Sequence, residues 1–283
     1  MEGVRKARPA DIPEIRALHW RARFKMPCVW HCGTCQAFPA HFYVASDESG
    51  RLTGAICAWS DGVPVARVRM VALEDDRWMS QRLGLMLSRV LAELSRSGVR
   101  ELTWIDYEGW AGKYLARGGF VPLEQVITFA KFDRVLPEVA ACDVHLRASS
   151  EQDIPGIAAV DWAAFPPHWW NGELTIRHGI TVSPYFVVAE IEGEIVGYAT
   201  GDVNEPMAHL NRIAVTPVHQ GHGIGSQLLR DALLAFWKWG AEEVTLNTQQ
   251  NNHVSQRLYH RFGFTPTGES AMVWRIPLPG HHN

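Results

Sequence analysis

Cysteine is scarce and odd in number, five in 283 residues. A disulfide framework needs pairs, so this usage fits a reducing compartment better than a cross-linked secreted fold. Three of the five, Cys28, Cys32 and Cys35, cluster around His31. Cys32 and Cys35 have metal-ligand spacing, and Cys28 with His31 completes a possible four-ligand shell. No second C-x-x-C accompanies them, so free thiols on an aromatic-rich loop are the simpler reading and no metal is expected. Net charge is also small, at -3, which argues against nucleic acid or an anionic membrane as the main partner. No apolar run reaches the ~18 residues of a membrane-spanning helix. Met1 to Lys6 lacks the apolar stretch of a signal peptide. Together these absences point to a cytoplasmic protein.

What is present suits a soluble globular chain, with 47% hydrophobic and 20% charged residues and twelve tryptophans. The length allows about two domains at ~100–200 residues each. An internal repeat supports that count. Arg5 to Trp20 aligns with Arg147 to Trp162 at an offset of 142, setting Asp11-Ile12-Pro13 on Asp153-Ile154-Pro155. The same offset sets Val71-Ala72-Leu73 on Ile213-Ala214-Val215. At an offset of 144, Arg117-Gly118-Gly119-Phe120 falls on Arg261-Phe262-Gly263-Phe264. The seam lies near Leu136 to Asp143 and gives domains at 1–138 and 144–283. In both copies Asp before Ile-Pro reads as a helix N-cap with proline in the first turn.

Within the second copy a helix is predicted over 153–164. Strands follow over Tyr185–Glu190 and Ile195–Gly201, joined by a turn at Glu192-Gly193-Glu194, and then over His209–Val215. Apolar spacing predicts a helix from Ile224 to Trp239, stopped by Gly240. A short strand at Val244–Asn247, a helix at Val254–Phe262 closed by Gly263, and a strand at Ala271–Ile276 complete the copy. Hairpin strands followed by strand–helix–strand–helix–strand make an α+β, mixed α/β, fold with a largely antiparallel sheet.

The run Gln220-Gly221-His222-Gly223-Ile224-Gly225 opens the helix at 224. Its glycines permit positive φ and close approach of a ligand to the backbone. The free N–H groups and dipole of the first helical turn favour a phosphate or pyrophosphate, and Ser226 offers a hydroxyl. No lysine follows, which excludes a Walker P-loop. A dinucleotide fingerprint fits Gly221 and Gly223 but meets Ser226 at its third glycine, and this turn comes late in its domain. Taken alone, the turn leaves open a dinucleotide, a coenzyme A or a purely geometric role.

Together with Ile213-Ala214-Val215-Thr216-Pro217, the glycine run resembles the GNAT N-acetyltransferase signature R/Q-x-x-G-x-G/A. Asn252-His253-Val254-Ser255-Gln256-Arg257-Leu258-Tyr259-His260-Arg261-Phe262-Gly263-Phe264 resembles that family's second motif, with Asn seven residues before Tyr. The resemblance covers 145–277 well and 4–135 in outline. It implies two tandem GNAT-like domains, acetyl-CoA as co-substrate, an amine acceptor and a splayed sheet. By the same resemblance, the main chain of Ile213, Ala214 and Val215 lies along the pantetheine arm. The turn from Gln220 through Gly221, His222, Gly223, Ile224 and Gly225 to Ser226 holds the pyrophosphate. Asn252 reaches the cofactor or caps its helix, and Tyr259 is the general acid. His209 stands where the family often places a glutamate base, with Asn211 and Glu205 as nearby alternatives.

In the first copy the glycine turn maps onto Trp78-Met79-Ser80-Gln81-Arg82-Leu83 and Tyr259 onto Leu115. That copy is therefore expected to bind no CoA. The expected acceptor is a small-molecule amine. A protein N-terminus or lysine is the alternative, and a non-catalytic acyl-CoA sensor is a third. Trp162, Phe165, His168, Trp169 and Trp170 follow the helix that borders the acceptor site in this family, and they suggest an apolar or ring-bearing acceptor.

Overall fold

The computed structural model describes residues 3–26, 40–75 and 79–279. The Cys28–Cys35 cluster lies outside them. The chain packs as two compact units, Met1–Glu124 with Ala271–Asn283, and Gln125–Ser270.

The first unit contains β1 (Gly3–Lys6), α1 (Ile12–Arg21), β2 (Phe24–Lys25), β3 (His41–Ser46), β4 (Leu52–Trp59), β5 (Val65–Leu73), α2 (Met79–Arg96), β6 (Glu101–Asp106) and α3 (Gly112–Arg117). β7 (Val121–Lys131) leads out of it. The second unit continues with β8 (His145–Ala148), α4 (Ile154–Ala164), α5 (Glu173–Val182), β9 (Tyr185–Ile191), β10 (Glu194–Asn204), β11 (Met207–Val215), α6 (Ile224–Lys238), β12 (Glu243–Gln249) and α7 (His253–Arg261). β13 (Thr265–Pro277) is the last element among the described residues.

Strand order is β1-β3-β4-β5-β6-β13 in the first unit and β8-β9-β10-β11-β12-β7 in the second. Both sheets are antiparallel except for one parallel pair, β5 with β6 and β11 with β12. The two orders match once β13 and β7 are treated as equivalents. The last strand of each sequence copy thus completes the sheet of the other unit: Met272–Pro277 pairs with β6, and Val126–Lys131 with β12. The packed units therefore do not divide at 138 and 144. A repeat records strand order, whereas a free edge decides which sheet a strand joins.

In the second unit α6 and α7 cover one sheet face, through Leu228, Leu229, Leu233, Phe236, Tyr259 and Phe262. α4 and α5 cover the other, where Ile154, Ile157 and Ile176 pack with Phe186 of β9 and Tyr198 of β10. The predicted N-caps are corrected by the structure. Asp153 is itself helical and makes no cap bond to α4. Its carboxylate instead accepts from Ser150 N at 2.7 Å and from Arg147 at 2.7 and 2.8 Å. Asp11 does the same with Arg8 N and Arg5. A short 3-10 turn before each helix, invisible to helical periodicity, moves the carboxylate one step upstream.

Candidate active site

β11 and β12 run side by side only from Met207↔Glu243 to Leu210↔Leu246. Beyond that point β12 continues against β7 to Gln249 and β11 continues against β10 to Val215. The ladder slips between Thr200 and Gly201 and leaves Asn211 as the extra residue on β11. A bulge bends and twists its strand, so β11 departs from β12 where the extra residue sits. The edge of β11 at Ile213, Ala214 and Val215 consequently has no β12 partner. Ala214 and Val215 point into opposite cores and are buried, so this stretch offers main chain and little side chain.

After β11, Thr216 to His219 make a tight turn, and Gln220 Nε2 returns to Val215 O at 2.9 Å. Gly221 and Gly223 have φ of 80° and 86°. A Cβ on Gly221 would meet nothing within 4 Å, so glycine serves backbone conformation there and leaves open space above the turn. The N–H groups of Gly221, His222, Gly223, Ile224 and Gly225 have no acceptor among the described residues. Five such donors at the start of a fifteen-residue helix are the kind of group an anion can accept from.

The remaining turn residues divide by role. His222 is exposed and bonds Gln220 O through Nδ1 at 2.9 Å. The Ile224 side chain is in the core, so only its N–H is offered. Ser226 is buried, its N–H is spent on Gly223 O at 2.9 Å, and its hydroxyl accepts from Arg261. Asn252 caps α7, accepting from Ser255 N at 3.1 Å.

Tyr259 lies on α7 between Phe129 and Phe264, with ring centroids at 6.1 and 6.0 Å. Burial pushes its hydroxyl up to about 12, and the Ser255 hydroxyl one turn earlier pulls the other way. The phenol therefore stays protonated at neutral pH. His209 is on β11 opposite Thr245, with Nδ1 2.7 Å from Thr245 Oγ1. Burial lowers its pKa and Asp202, its cross-strand neighbour, opposes the shift. Asn211 donates to Asp202 at 2.6 Å.

Sequence reasoning missed a buried polar cluster on the α4 side. Asp161 is fully buried and accepts from Arg212 Nε at 2.6 Å, from Asn171 N at 2.8 Å and from the Tyr198 hydroxyl. Arg212 also donates to Trp169 O at 2.6 Å and stacks over Phe165 at 3.8 Å. The available signal was Asp161 itself, the single charged residue in an otherwise apolar α4. A buried charge demands a partner.

The sequence model of the acetyltransferase (GNAT) family matches residues 155–264. An N-alpha-acetyltransferase RimI of Mycobacterium tuberculosis is 33% identical over 116 residues, covering 40% of this chain and 68% of that protein. The chain belongs to the GNAT acetyltransferase family. An N-alpha-acetyltransferase of Sulfolobus acidocaldarius is 28% identical over 159 residues, covering 47% of this chain and 92% of that one. Among solved structures, a tandem GNAT protein from the clavulanic acid biosynthesis pathway superposes with a TM-score of 0.63 at 16% identity, covering 99% of each chain. A GCN5-related N-acetyltransferase from Sphaerobacter thermophilus gives 0.64 at 16% identity over 99% of this chain and 96% of that one. Both share the fold.

GNAT enzymes use acetyl-CoA as co-substrate, and the donor-lined turn beside an unpaired strand edge fits that ligand's pyrophosphate and amide-bearing arm. In the first GNAT unit the same edge is filled. There β5 and β6 pair from Val65↔Glu101 to Arg67↔Thr103, and a bulge leaves Arg69 extra. The edge that would then stand open is taken by β2: Phe24↔Leu73, Lys25↔Ala72, and Met26 N to Val71 O at 3.1 Å. Trp110 packs on Phe24 and donates to Lys25 O at 3.3 Å. Met79 and Leu83 occupy the first turns of α2 as core residues, and Leu115 is fully buried. Among the described residues, no group of His, Cys, Asp and Glu could hold a metal, and no described helix is long and apolar enough to cross a membrane.

Proposed function

We propose that this GNAT acetyltransferase acetylates the α-amine of a peptide or protein N-terminus, and that it does so with its second unit alone. The open edge at Ile213–Val215, continuous with the five free amides of Gly221–Gly225, carries the reading. The α-amine is favoured by the two relatives named as N-alpha-acetyltransferases. This replaces a small-molecule amine as the leading acceptor. The first unit lacks the glycines, and β2 fills its edge.

When bound, acetyl-CoA supplies an acetyl thioester whose C–S bond breaks as the N–C bond forms. The main-chain donors on the open edge, those of Ile213 and Val215, would polarise the thioester carbonyl, while the alternate residue Ala214 faces β10. The neutral imidazole of His209 takes the proton that the attacking ammonium must lose, directly or through water. Tyr259 delivers its phenolic proton to the departing sulfur. A phenol at about 12 giving a proton to a thiolate whose thiol has a pKa near 8.5 is uphill by roughly 5 kcal/mol. The transfer therefore has to be coupled to proton resupply, with Ser255 stabilising the oxygen left behind. Asn252 acts as the cap of α7, the helix that carries Tyr259.

The test is thiol release from acetyl-CoA against N-terminally free peptides, the same peptides with a blocked α-amine, lysine-only peptides and small amines. Turnover confined to free α-amines is expected. Turnover confined to small amines would overturn the acceptor assignment, and thiol release with none of them would favour a binding protein.

A further inference from the structure

Position 161 in the second unit and position 19 in the first are equivalent at the repeat offset, and the segment after each helix takes opposite routes. In the first unit His19 Nε2 bonds Met26 O at 2.9 Å, and Phe24–Met26 adds to the edge of β5. In the second unit the equivalent segment, Pro166–His168, leads into a 3-10 turn over Pro167–Trp169 that is held elsewhere. Asp161 grips Asn171 N and Arg212, and Arg212 in turn grips Trp169 O and Phe165. Among its described residues the first unit has none of this cluster. Arg212 corresponds to Met70 and Tyr198 to Ile56, both buried apolar residues.

We infer that the Asp161–Arg212 pair is a strut that keeps residues 165–171 off the open edge of β11, and that without it this segment closes the edge much as Phe24–Met26 closes that of β5. Arg212 and Asp161 are thus positioning residues. The inference rests on the proposed cofactor role of Ile213–Val215. An unpaired strand edge recruits any extended segment within reach, and residues 165–171 begin directly after α4. Pro167 takes the outward-facing position of Lys25, which an edge strand tolerates, and Pro166 forgoes only the single donor at the position of Phe24. The donor that the first unit aims at Val71, the Met26 N–H, corresponds to His168, which keeps its N–H. A strut that biases the segment outward keeps the cofactor-competent form populated, and apparent affinity scales with that population.

The test compares the wild type with Asp161→Asn/Arg212→Met, a double change that strands no buried charge, and with Arg212→Lys. Calorimetric titration with CoA should show at least tenfold weaker binding in the double variant and about threefold or less in Arg212→Lys. Steady-state kinetics should show a raised KM for acetyl-CoA at nearly unchanged kcat, because saturating cofactor displaces the segment. Without CoA, amide exchange at Ile213 and Val215, the residues whose N–H groups face the open edge, should slow in the double variant as the edge becomes paired. Unchanged CoA affinity would overturn the strut, and so would faster exchange at Ile213 and Val215 with a lowered Tm, which marks simple loosening. If the wild type itself fails to bind CoA, the cofactor reading falls, and the exchange measurement still decides the strut.

Discussion

His209 Nδ1 lies 2.7 Å from Thr245 Oγ1, and the same hydroxyl lies 3.2 Å from Ala208 O. Threonine has one hydroxyl proton. Both contacts are satisfied together when that proton goes to the carbonyl and the imidazole proton sits on Nδ1. Nε2 then carries the lone pair that a base requires. Thr245→Val removes the acceptor that fixes this tautomer. A roughly tenfold loss in kcat/KM is expected, with CoA affinity unchanged by calorimetry. An unaltered kcat/KM would separate the tautomer from the reaction.

The pH profile tests His209 directly. Its folded pKa is depressed below the usual 6.5, so the neutral base is fully formed above that value and is lost as pH falls through the lowered pKa. Wild-type kcat/KM should decline on the acid side and be insensitive to His209 above about pH 7. The same sign applies to stability: the contribution of this group is present above 6.5 and is lost on acidification. His209→Asn should cost about 10²–10⁴ in kcat/KM and erase that acid limb. Retention of the limb in the variant would assign it to another group.

Tyr259→Phe keeps the ring between Phe129 and Phe264 and removes only the hydroxyl. kcat should fall by about 10²-fold, with CoA affinity within roughly twofold of wild type. The wild-type hydroxyl, at about 12, should cause no alkaline decline in rate below roughly pH 11. Equal turnover in the two proteins would end the general-acid assignment.

Gly221→Ala separates backbone from bulk. The added methyl meets nothing within 4 Å, so its cost is the left-handed φ, about 1–2 kcal/mol. Relief of that strain would reorient the amides, and CoA affinity should drop by tenfold or more. Gly50→Ala is the control, also left-handed and also sterically open but in the first unit. It should lower Tm by a similar amount and leave CoA binding alone. Equal affinity in both variants would remove the turn from the binding site.

The Arg147–Asp153 clasp sets an acid limit on the second unit. Asp153 is held near 2, chiefly by Arg147. Its contribution is present above the ordinary 3.8 and is lost as pH falls toward 2. Asp153→Ala should cost about 2 kcal/mol in urea unfolding at pH 7, with the gap to wild type shrinking below pH 4. A gap that persists at pH 2 would attribute the loss to packing.

The sequence by itself determined what short-range chemistry determines. Apolar spacing fixed α4, α6 and α7 to within a residue or two, and glycine after α6 and α7 marked their ends. Gly221 and Gly223 announced a turn that L side chains avoid, and the spacing of Asn252 and Tyr259 placed a cap and a phenol on one short helix. The repeat announced two similar sheets. Tertiary structure alone decided the rest. Which sheet takes β7 or β13, whether the edge beyond a bulge stays open at Ile213–Val215 or is filled by Phe24–Met26, and which arginine neutralises Asp161 all depend on pairings between distant segments. Those pairings are set by which backbone edges are free and which buried charges need a partner, and neither is encoded in the spacing of neighbouring residues.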